Sequence, residues 1–301
     1  MNVSLNHLVL SNSPSASLAR KPSWLKMKMP GGQRYVSLKN LVESHRLHTV
    51  CQSAKCPNLG ECWNAGTATL MILGDVCTRS CGFCNIATGK PATLDLDEPA
   101  RVGDAVRIMN LGHVVITSVN RDELLDGGAA VWAETIRQVR LQSPGTSVEV
   151  LIPDFCGDWD ALQQVLDERP EILNHNIETV PRLYRQVRPQ AKYARSLELL
   201  RIAKDQGLVI KTGMMLGLGE EEHEIDAVLE DLFAIGCDIL TLGQYLQPTP
   251  NHLPVVRWVH PEEFVAWKIR GEARGIRHVE SGPLVRSSYH AEKQVQAHAG
   301  V

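Results

Sequence analysis

The chain has 301 residues, of which 31 are basic and 34 acidic, and its formal net charge of −3 leaves no basic excess for binding nucleic acid. Apolar residues make up 44% and charged residues 22%, as in ordinary soluble globular proteins, and no apolar run approaches the roughly 20 residues that span a bilayer. The length suits one large α/β domain or two ordinary ones, so the composition disfavours nucleic-acid-binding and membrane-spanning classes.

The first 20 residues are rich in Ser and Asn, and the first acidic residue of the chain is Glu43. Transit peptides share this composition, but this segment has a single arginine and no clear basic amphipathic face. We therefore interpret residues 1–20 as a disordered tail, with an organellar address as the alternative. The expected localisation is cytoplasmic, or the stroma or matrix of an organelle if the segment is a transit peptide.

Six of the eight cysteines lie between Cys51 and Cys84, which indicates metal binding in a reducing compartment rather than a disulfide framework. The first three, Cys51, Cys56 and Cys62, form a C-x4-C-x5-C pattern that we call the N-terminal trio. Zinc sites normally contain a tighter pair of cysteines. Pro and Gly residues within the pattern predict turns rather than a regular helix, and irregular backbone lets thiols at this spacing converge.

Three further cysteines, Cys77, Cys81 and Cys84, form a C-x3-C-x2-C pattern that we call the loop trio. As thiolates they suit an iron–sulfur cluster or a zinc ion. No fourth cysteine follows in this loop, so the pattern indicates a cluster with one iron left open for a small molecule. The two trios together suggest two clusters. Cys156 and Cys237 are isolated in the sequence, and we expect both to be small buried residues.

From residue 67 onward the chain alternates strand-like apolar runs with helical patterns. The predicted strands are residues 67–73, 113–118, 147–152, 172–178, 208–216 and 239–246. The predicted helices are residues 97–111, 128–141, 158–168, 181–187, 193–204, 220–235 and 261–274, with Asp97 as the N-cap of the first. Six strand–helix units predict a parallel α/β sheet with right-handed crossovers, either an open doubly wound layer or a barrel.

Polar residues lie at the ends of several predicted strands, where parallel α/β barrels gather their functional groups. Ser118 ends the second strand, and Lys211 and Gly213 lie in the fifth. Glu178 and Lys211 stand out because an unpaired charge beside apolar residues is unfavourable. They either pair with each other or hold a charged ligand. We interpret His175 as a polar residue at a strand end that lines the pocket, not as a general base.

The loop trio, with Phe83 before its last cysteine, resembles the signature of the radical S-adenosylmethionine (SAM) enzymes. The segment from Gly213 to Glu220 resembles the G-x-I-x-G-x-x-E element of that superfamily, with Met215 in place of the usual Ile. The resemblance implies a partial (β/α)6 barrel of the TIM type, with a [4Fe–4S] cluster on the loop trio whose free iron binds SAM. The residues assigned to SAM binding on this basis are Phe83, Ser118, Glu178, Lys211, Gly213 and Glu220.

The two trios and the C-terminal sequence R-S-S-Y, residues 286–289, together resemble the lipoyl synthases. This resemblance extends from about residue 21 to residue 290. It implies four parts: a tail at 1–20, an N-terminal extension with the N-terminal trio at 21–66, the radical SAM barrel at 67–275, and a C-terminal extension at 276–301.

The same resemblance implies the chemistry. The cluster on the loop trio reduces SAM to methionine and a 5′-deoxyadenosyl radical, which removes hydrogen from C6 and C8 of an octanoyl chain on a carrier-protein lysine. The N-terminal trio holds an auxiliary [4Fe–4S] cluster that donates the sulfur, with Ser288, chosen over Ser287, as its fourth ligand. The implied partners are an octanoylated carrier protein or lipoyl domain, an electron donor such as ferredoxin or flavodoxin, and an iron–sulfur assembly or carrier protein.

Two other functions stay open at this point. One is a different radical SAM enzyme that inserts sulfur into a free small molecule, although the N-terminal trio and Ser288 argue against it. The other is a two-cluster electron carrier or a zinc-stabilised binding module without chemistry of its own. An electron carrier does not need six strand–helix units, so we expect the chain to be the sulfur-inserting enzyme.

Overall fold

The computed structural model of the chain describes residues 21–26, 30–64, 68–291 and 294. The interpretation of residues 1–20 as a tail or transit peptide lies outside these residues, as does the end of the C-terminal extension. In the described part, no helix is both long and apolar enough to cross a membrane.

The strands of the described part are β1 His48–Thr49, β2 Thr69–Ile72, β3 Val76–Cys77, β4 Ala87–Thr88, β5 His113–Ser118, β6 Ser147–Leu151, β7 Ile172–Asn174, β8 Val209–Leu216, β9 Ile239–Gln244 and β10 His278–Gly282. The α-helices are α1 Gln33–Ser44, α2 Val50–Ser53, α3 Leu59–Asn64, α4 Glu98–Met109, α5 Ala129–Gln142, α6 Trp159–Asp167, α7 Tyr184–Val187, α8 Tyr193–Asp205, α9 Glu222–Ala234 and α10 Pro261–Ala273. Short 3₁₀ turns lie at Ser23–Leu25, Phe155–Gly157 and Pro181–Leu183.

Eight of the strands form one sheet in the order β1-β2-β5-β6-β7-β8-β9-β10. From β2 to β10 every neighbouring pair is parallel, and only β1 runs antiparallel to its neighbour β2. Helices connect the parallel strands, and β2, β5 and β9 are buried along almost their whole length. Since β1 and β10 remain as two edges, the sheet is a partial barrel, which confirms the predicted fold.

The structure corrects several boundaries. The predicted strand at 172–178 ends at Asn174, because His175 turns its side chain into the interior and Glu178 adopts a left-handed backbone with φ of 66°. Four strands were not predicted: β10, which extends the barrel beside β9, and the two-residue strands β1, β3 and β4. Asp97 does precede α4, but its side chain makes no capping hydrogen bond.

Two apolar cores hold these elements. The main core fills the barrel and the space beneath its helices, with fully buried residues such as Trp132, Ile116 and Leu242. A second, small core lies in the N-terminal extension, where Leu38, Cys51, Trp63 and Ala68 are buried together. Burying one large apolar side chain contributes about 1.5–3 kcal/mol, so the small core stabilises its region far less than the main core stabilises the barrel.

Candidate functional site

The loop trio lies just after β2, at the carboxyl end of the barrel strands. Its first cysteine belongs to β3, which pairs in parallel with β4, so that Cys77 lies opposite Thr88. The amide of Gly82 donates to Val187 O at 2.9 Å, and the amide of Leu253 donates to Gly82 O at 2.9 Å. A side chain at Gly82 would lie 2.8 Å from Leu253 Cγ, which explains a glycine between the last two cysteines. The loop is therefore fixed from two sides by barrel segments.

The sulfur atoms of this loop face buried surroundings. Burial, together with the neighbouring thiols and Glu178, raises the pKa of Cys81 to about 11 and that of Cys84 to about 12, although Arg188 opposes the shift at Cys81. The amides of Arg79 and Asn120 approach Cys77 Sγ at 3.4 and 3.3 Å. Cysteines in such a place stay protonated without a metal and lose their protons when one binds.

Arg79, between the first two cysteines of the loop, ties the loop to two strand ends. Its guanidinium donates to both carboxylate oxygens of Asp122, at 2.6 and 2.9 Å, and to Asp154 Oδ1 at 2.6 Å. Although burial opposes charge, the two carboxylates hold the pKa of Arg79 above its usual value. Arg79 also donates to the sulfur of Cys156 at 3.3 Å. Cys156 is exposed, so the expectation that it is buried was wrong, whereas Cys237 is buried as expected.

One cavity of about 520 Å³ opens in front of the loop trio, which is a usual volume for a small-molecule site. All three cysteines of the loop trio line it, together with the assigned residues Phe83, Ser118, Glu178 and Gly213. Apolar side chains form much of the remaining wall: Val50, Met71, Val119, Leu151, Ile152, Met214, Met215, Leu246 and Val285. The cavity therefore combines sulfur ligands, a few polar groups and a long apolar surface.

Several polar atoms on the cavity wall lack a partner within the described residues. These atoms are Ser118 Oγ, Asn120 Oδ1, Asn176 Oδ1 and Arg188 Nε. Buried polar atoms are nearly always hydrogen-bonded, so these groups await a polar ligand. A molecule with an amino group, a carboxylate and a ribose supplies donors and acceptors of the required kinds, and the loop trio supplies three thiolates for a cluster. The residues present thus fit SAM and a [4Fe–4S] cluster.

Glu178 reaches the cavity because of an irregular backbone. Its amide donates to Gly213 O and its carbonyl accepts from the amide of Met215, both at 2.9 Å, so it forms a single bridge to β8 beyond the end of β7. Burial raises the pKa of Glu178, while the guanidinium groups of Arg188 and Arg286 and a hydrogen bond from Asn176 lower it. Two residues assigned to SAM binding from the sequence, Glu178 and Gly213, are thereby brought side by side.

Lys211 does not face this cavity. Its ammonium lies 2.9 Å from the carboxylate of Glu149, and both side chains are fully buried inside the barrel. Despite the opposing effect of burial, Lys211 and His113 hold the pKa of Glu149 at about 2. Neither alternative for Lys211, a pair with Glu178 or a charged ligand, was right, because the adjacent strand β6 supplies the partner in the barrel interior.

Glu220 also acts inside the protein. Its carboxylate accepts hydrogen bonds from the amides of Gly217 and Leu218, at 2.6 and 2.9 Å, and so holds the glycine-rich turn after β8. It does not line the cavity. The assignment of Glu220 to direct SAM contact is corrected to a role in shaping the turn. His175 lines the cavity as expected, and its ring is bound by Ile152 O and Ser196 Oγ, at 2.9 and 3.0 Å.

The N-terminal trio lies on two short helices rather than on turns alone. Cys51 lies in α2, Cys62 lies in α3, and Cys56 lies between them. The predicted turns are restricted to residues 54–58, because Thr49 caps α2 and Trp63 anchors α3 in the small core. Burial raises the pKa of Cys51 and of Cys56. Four residues next to the trio line the cavity: Val50, Ala54, Lys55 and Pro57.

The C-terminal residues 283–290, here called the tail segment, join the N-terminal trio to the barrel. Asn58 Nδ2 donates to Leu284 O at 2.7 Å, and Tyr289 Oη donates to Glu61 Oε1 at 3.1 Å. The carbonyl of Val285 lies against Gly243 at the end of β9, where a Cβ atom would overlap it. Ser287 lines the cavity, whereas Ser288 is half-buried beside it.

Among the residues that the structure describes, no three His, Cys, Asp or Glu side chains converge on the position of a single metal ion. A zinc ion needs its sulfur ligands about 2.3 Å away, so its thiolates must crowd together. A [4Fe–4S] cluster binds each cysteine at a separate iron, which spaces the sulfur atoms more widely.

Several residues that complete the site were not predicted. They are the buried or half-buried charged residues Arg79, Asp154, Arg188 and Arg286. Asn176, in contrast, was expected at the polar strand end that lines the pocket, and it does line the cavity. Asp154 follows the end of β6, so reading polar residues after every strand would have found it. Arg286 was visible only as part of the R-S-S-Y sequence, and its cavity position depends on the fold of the tail segment.

Comparisons with known proteins agree with this geometry. The family model of the Radical SAM superfamily matches residues 71–232, and that of the N-terminal domain of lipoyl synthase matches residues 7–56. Among solved structures, methylornithine synthase (PylB) has a TM-score of 0.52 at 14% identity, over 83% of each chain. Streptococcus suis SuiB bound to S-adenosylmethionine has a TM-score of 0.54 at 10% identity, over 74% of this chain and 53% of that one. These structures share the fold.

Close relatives identify the family. Lipoyl synthase of Rubrobacter xylanophilus is 60% identical over 92% of this chain and 87% of the relative. Lipoyl synthase of Chlorobaculum parvum is 58% identical over 91% and 94%. The mitochondrial lipoyl synthase of Nematostella vectensis is 53% identical over 91% and 95%. With both trios, the cavity and the partial barrel in place, the chain belongs to the lipoyl synthase family of radical SAM enzymes.

Proposed function

We propose which residues of this chain hold each cluster in the lipoyl synthase reaction. The enzyme inserts sulfur into a protein-bound octanoyl group, and it uses SAM and [4Fe–4S] clusters. In our assignment, the loop trio holds the cluster that binds SAM. The N-terminal trio and Ser288 hold the auxiliary cluster that donates two sulfur atoms, at C6 and C8 of the octanoyl chain.

One observation carries this assignment: the tail segment, which contains Ser288, contacts both the N-terminal trio region and the cavity of the loop trio. Leu284 O accepts from Asn58, and Val285 and Arg286 line the cavity. When bound, SAM and its cluster supply a radical that removes hydrogen, and the auxiliary cluster supplies sulfur. Both must reach one alkyl chain, so a shared cavity between the two sites supports the division of roles.

The chain's own residues orient the reactants and exclude water. Polar groups at the strand ends, Ser118, Asn176 and Glu178, are available for the amino acid and ribose parts of SAM. Phe83 is half-buried beside the last cysteine of the loop trio and offers a ring face for the adenine. The apolar wall that includes Met71 and Met214 suits an octanoyl chain and keeps water from a reactive carbon radical.

The partners and compartment are part of the proposal. The substrate is an octanoyl-lysine of a carrier protein or lipoyl domain. One-electron reduction calls for a small redox protein such as ferredoxin or flavodoxin, and consumption of the auxiliary cluster calls for an iron–sulfur carrier that rebuilds it. We place the enzyme in the cytoplasm, or in an organelle if residues 1–20 are a cleaved transit peptide, which N-terminal sequencing of the mature protein checks.

Mass spectrometry of an octanoyl-lysine peptide tests the reaction. The peptide is incubated with anaerobically reconstituted enzyme, SAM and a reductant, and the expected product has gained two sulfur atoms in place of two hydrogens. Reconstitution itself is expected to give about eight irons per chain, as for two [4Fe–4S] clusters. Zinc without iron, or an unchanged peptide from an enzyme that cleaves SAM, would contradict the proposal.

A further inference from the structure

Arg286, the first residue of the R-S-S-Y sequence, lies between the two cysteine trios. Its side chain lines the cavity. It interacts electrostatically with Cys56 of the N-terminal trio and with Glu178 of the barrel. A guanidinium is always charged and has five hydrogen-bond donors, so its position in a buried cavity calls for an anionic partner.

The backbone around Arg286 is held from both sides, so its position is fixed. Asn58, two residues after Cys56, donates to Leu284 O at 2.7 Å. On the barrel side, the amide of Gln244 donates to Pro283 O at 3.3 Å, and Val285 O presses on Gly243. Arg286 Nη1 donates to Val285 O at 2.6 Å. These contacts of the tail segment therefore hold the Arg286 side chain in place, unlike a flexible arginine on the surface.

This cation is not neutralised within the described part of the chain, where no carboxylate lies within ion-pair distance of its guanidinium. Its hydrogen bond to Val285 O uses one of its five donors. The loop trio has a buried cation of its own, since Arg188 interacts with Cys81 and with Glu178. On the side of the N-terminal trio, Arg286 is the arginine that faces Cys56.

We propose that Arg286 is the counter-charge of the auxiliary iron–sulfur site. Its free N–H groups point to the sulfur-rich anion that the N-terminal trio holds, and they keep that cluster bound until sulfur is removed. Thiolates and bridging sulfides bring negative charge into a buried place, and a charge-assisted hydrogen bond from a fixed guanidinium stabilises it. The inference rests on the proposed function, in which the N-terminal trio binds a cluster.

The test uses the full chain with the loop trio changed to alanine (Cys77→Ala, Cys81→Ala, Cys84→Ala), so that only the auxiliary cluster forms. Into this background we introduce Arg286→Gln, Arg286→Lys or, as a matched control, Arg257→Gln, which removes an exposed pair with Glu263. After anaerobic reconstitution, two quantities are measured: the rate of iron release to a chelator and the midpoint potential of the cluster.

Arg286→Gln is expected to release iron on the order of tenfold faster than the background protein, because a buried charge-assisted hydrogen bond is lost. Its midpoint potential should become more negative, since the reduced cluster carries one more negative charge and has lost its cation. Arg286→Lys should retain part of both properties, and Arg257→Gln should match the background. A release rate for Arg286→Gln within about twofold of the background, with an unchanged potential, would overturn the proposal.

A reciprocal background separates this role from general packing. In a chain with the N-terminal trio changed to alanine (Cys51→Ala, Cys56→Ala, Cys62→Ala), Arg286→Gln should leave iron release from the loop trio unchanged. An equal acceleration there would assign Arg286 to the SAM side and overturn the inference. Failure of the proposed function looks different: the chain lacking the loop trio would then bind no iron, whichever residue occupies position 286.

Discussion

The two cysteine trios are built in different ways. The loop trio lies on irregular backbone, yet barrel segments hold it through hydrogen bonds at Gly82 and through the ion pairs of Arg79. The N-terminal trio lies mostly on the short helices α2 and α3, which pack on a small core outside the barrel. The tail segment then holds this extension against the cavity.

This difference matches the two roles. In the proposed assignment, the radical-generating centre is used again in every cycle, and hydrogen bonds from segments of the barrel hold its cysteine loop. A sulfur donor is dismantled and rebuilt, and its ligands lie where few apolar contacts oppose local opening. Because segments with a small core open at low free-energy cost, the N-terminal extension suits a site that must exchange its cluster.

Removing one ligand of the loop trio is expected to have the largest effect. Cys81→Ala should reduce formation of 5′-deoxyadenosine by more than about a hundredfold, since loss of a direct ligand exceeds the effect of losing an outer-shell partner. Liquid chromatography of the nucleoside products measures it. Cys237→Ala, at a buried cysteine remote from the cavity, is the control and should keep normal SAM cleavage. Normal cleavage by Cys81→Ala would show that the loop trio is not the SAM site.

The same substitution in the N-terminal trio should separate the two roles. Cys56→Ala is expected to leave SAM cleavage measurable and to abolish sulfur transfer, because the sulfur donor is missing while the radical centre remains. The ratio of deoxyadenosine to lipoyl product reports both steps in one assay. Full lipoyl product from Cys56→Ala would refute the division of labour. Comparing Ser288→Ala with Ser287→Ala in this assay tests which serine supports the auxiliary cluster.

Breaking the buried ion pair between Lys211 and Glu149 should show how much it contributes to the stability of the barrel. Lys211→Met leaves Glu149 without its ammonium partner, and we expect a loss of about 3–5 kcal/mol in the free energy of unfolding. Urea denaturation measures it. Lys268→Met, which removes an exposed pair with Glu272 on α10, should cost less than about 1 kcal/mol. Equal losses in the two variants would contradict the buried pair's role.

The same pair predicts a pH dependence. The pKa of Glu149 is about 2 in the folded chain, against its usual value of 4.5, so the unfolded chain binds a proton first as the pH falls. The stability that the pair contributes is complete above the unfolded value and is lost as the pH falls through 4.5 towards 2. Glu149→Gln should flatten this part of the stability curve, and an unchanged slope would argue against the assignment.

Moving the tail segment should have the smallest effect on the whole fold. Gly243→Ala places a methyl group against Val285 O, and we expect about 1–3 kcal/mol of destabilisation, concentrated in the tail. Hydrogen exchange should accelerate at the amides of residues 283–290 and of the N-terminal trio, but not in the barrel strands. Gly207→Ala is unsuitable as a control because its positive φ would strain any side chain, whereas a methyl group at Gly112 meets no neighbouring atom and Gly112→Ala is suitable. Uniform acceleration would mean that the tail is not a separate unit.

The sequence predicted the barrel well because its strands are nearly all apolar and its helices are periodic. The residues of the cavity wall followed from one rule, that polar groups gather at the carboxyl ends of parallel strands. Ser118, Glu178 and Gly213 confirm this rule, since all three line the cavity. The loop trio could also be predicted, because its three cysteines lie within eight consecutive residues, and all three line the cavity.

Two failures have the same physical origin. Lys211 and Glu220 looked like ligand-binding residues because both are charged and follow or interrupt apolar runs. Their partners are Glu149, on the adjacent strand, and the amides of Gly217 and Leu218. Strand register and turn geometry determine whether a buried charge has a partner within the protein. Neither can be read from the sequence of one strand alone. The helices of the N-terminal trio were missed because tertiary packing on Trp63 outweighs local turn propensity.

The contacts of the tail segment impose an order on the assembly of the protein. Val285 can pack against Gly243 only after β9 has joined the sheet. Asn58 can donate its hydrogen bond to Leu284 O only after the N-terminal extension has packed. The tail residues that are proposed to complete the sulfur-donor site therefore dock after both the barrel and the N-terminal extension have formed. In the proposed assignment, a chain with a folded barrel and an undocked tail lacks a complete auxiliary site, so the auxiliary cluster is held fully only after the tail has docked.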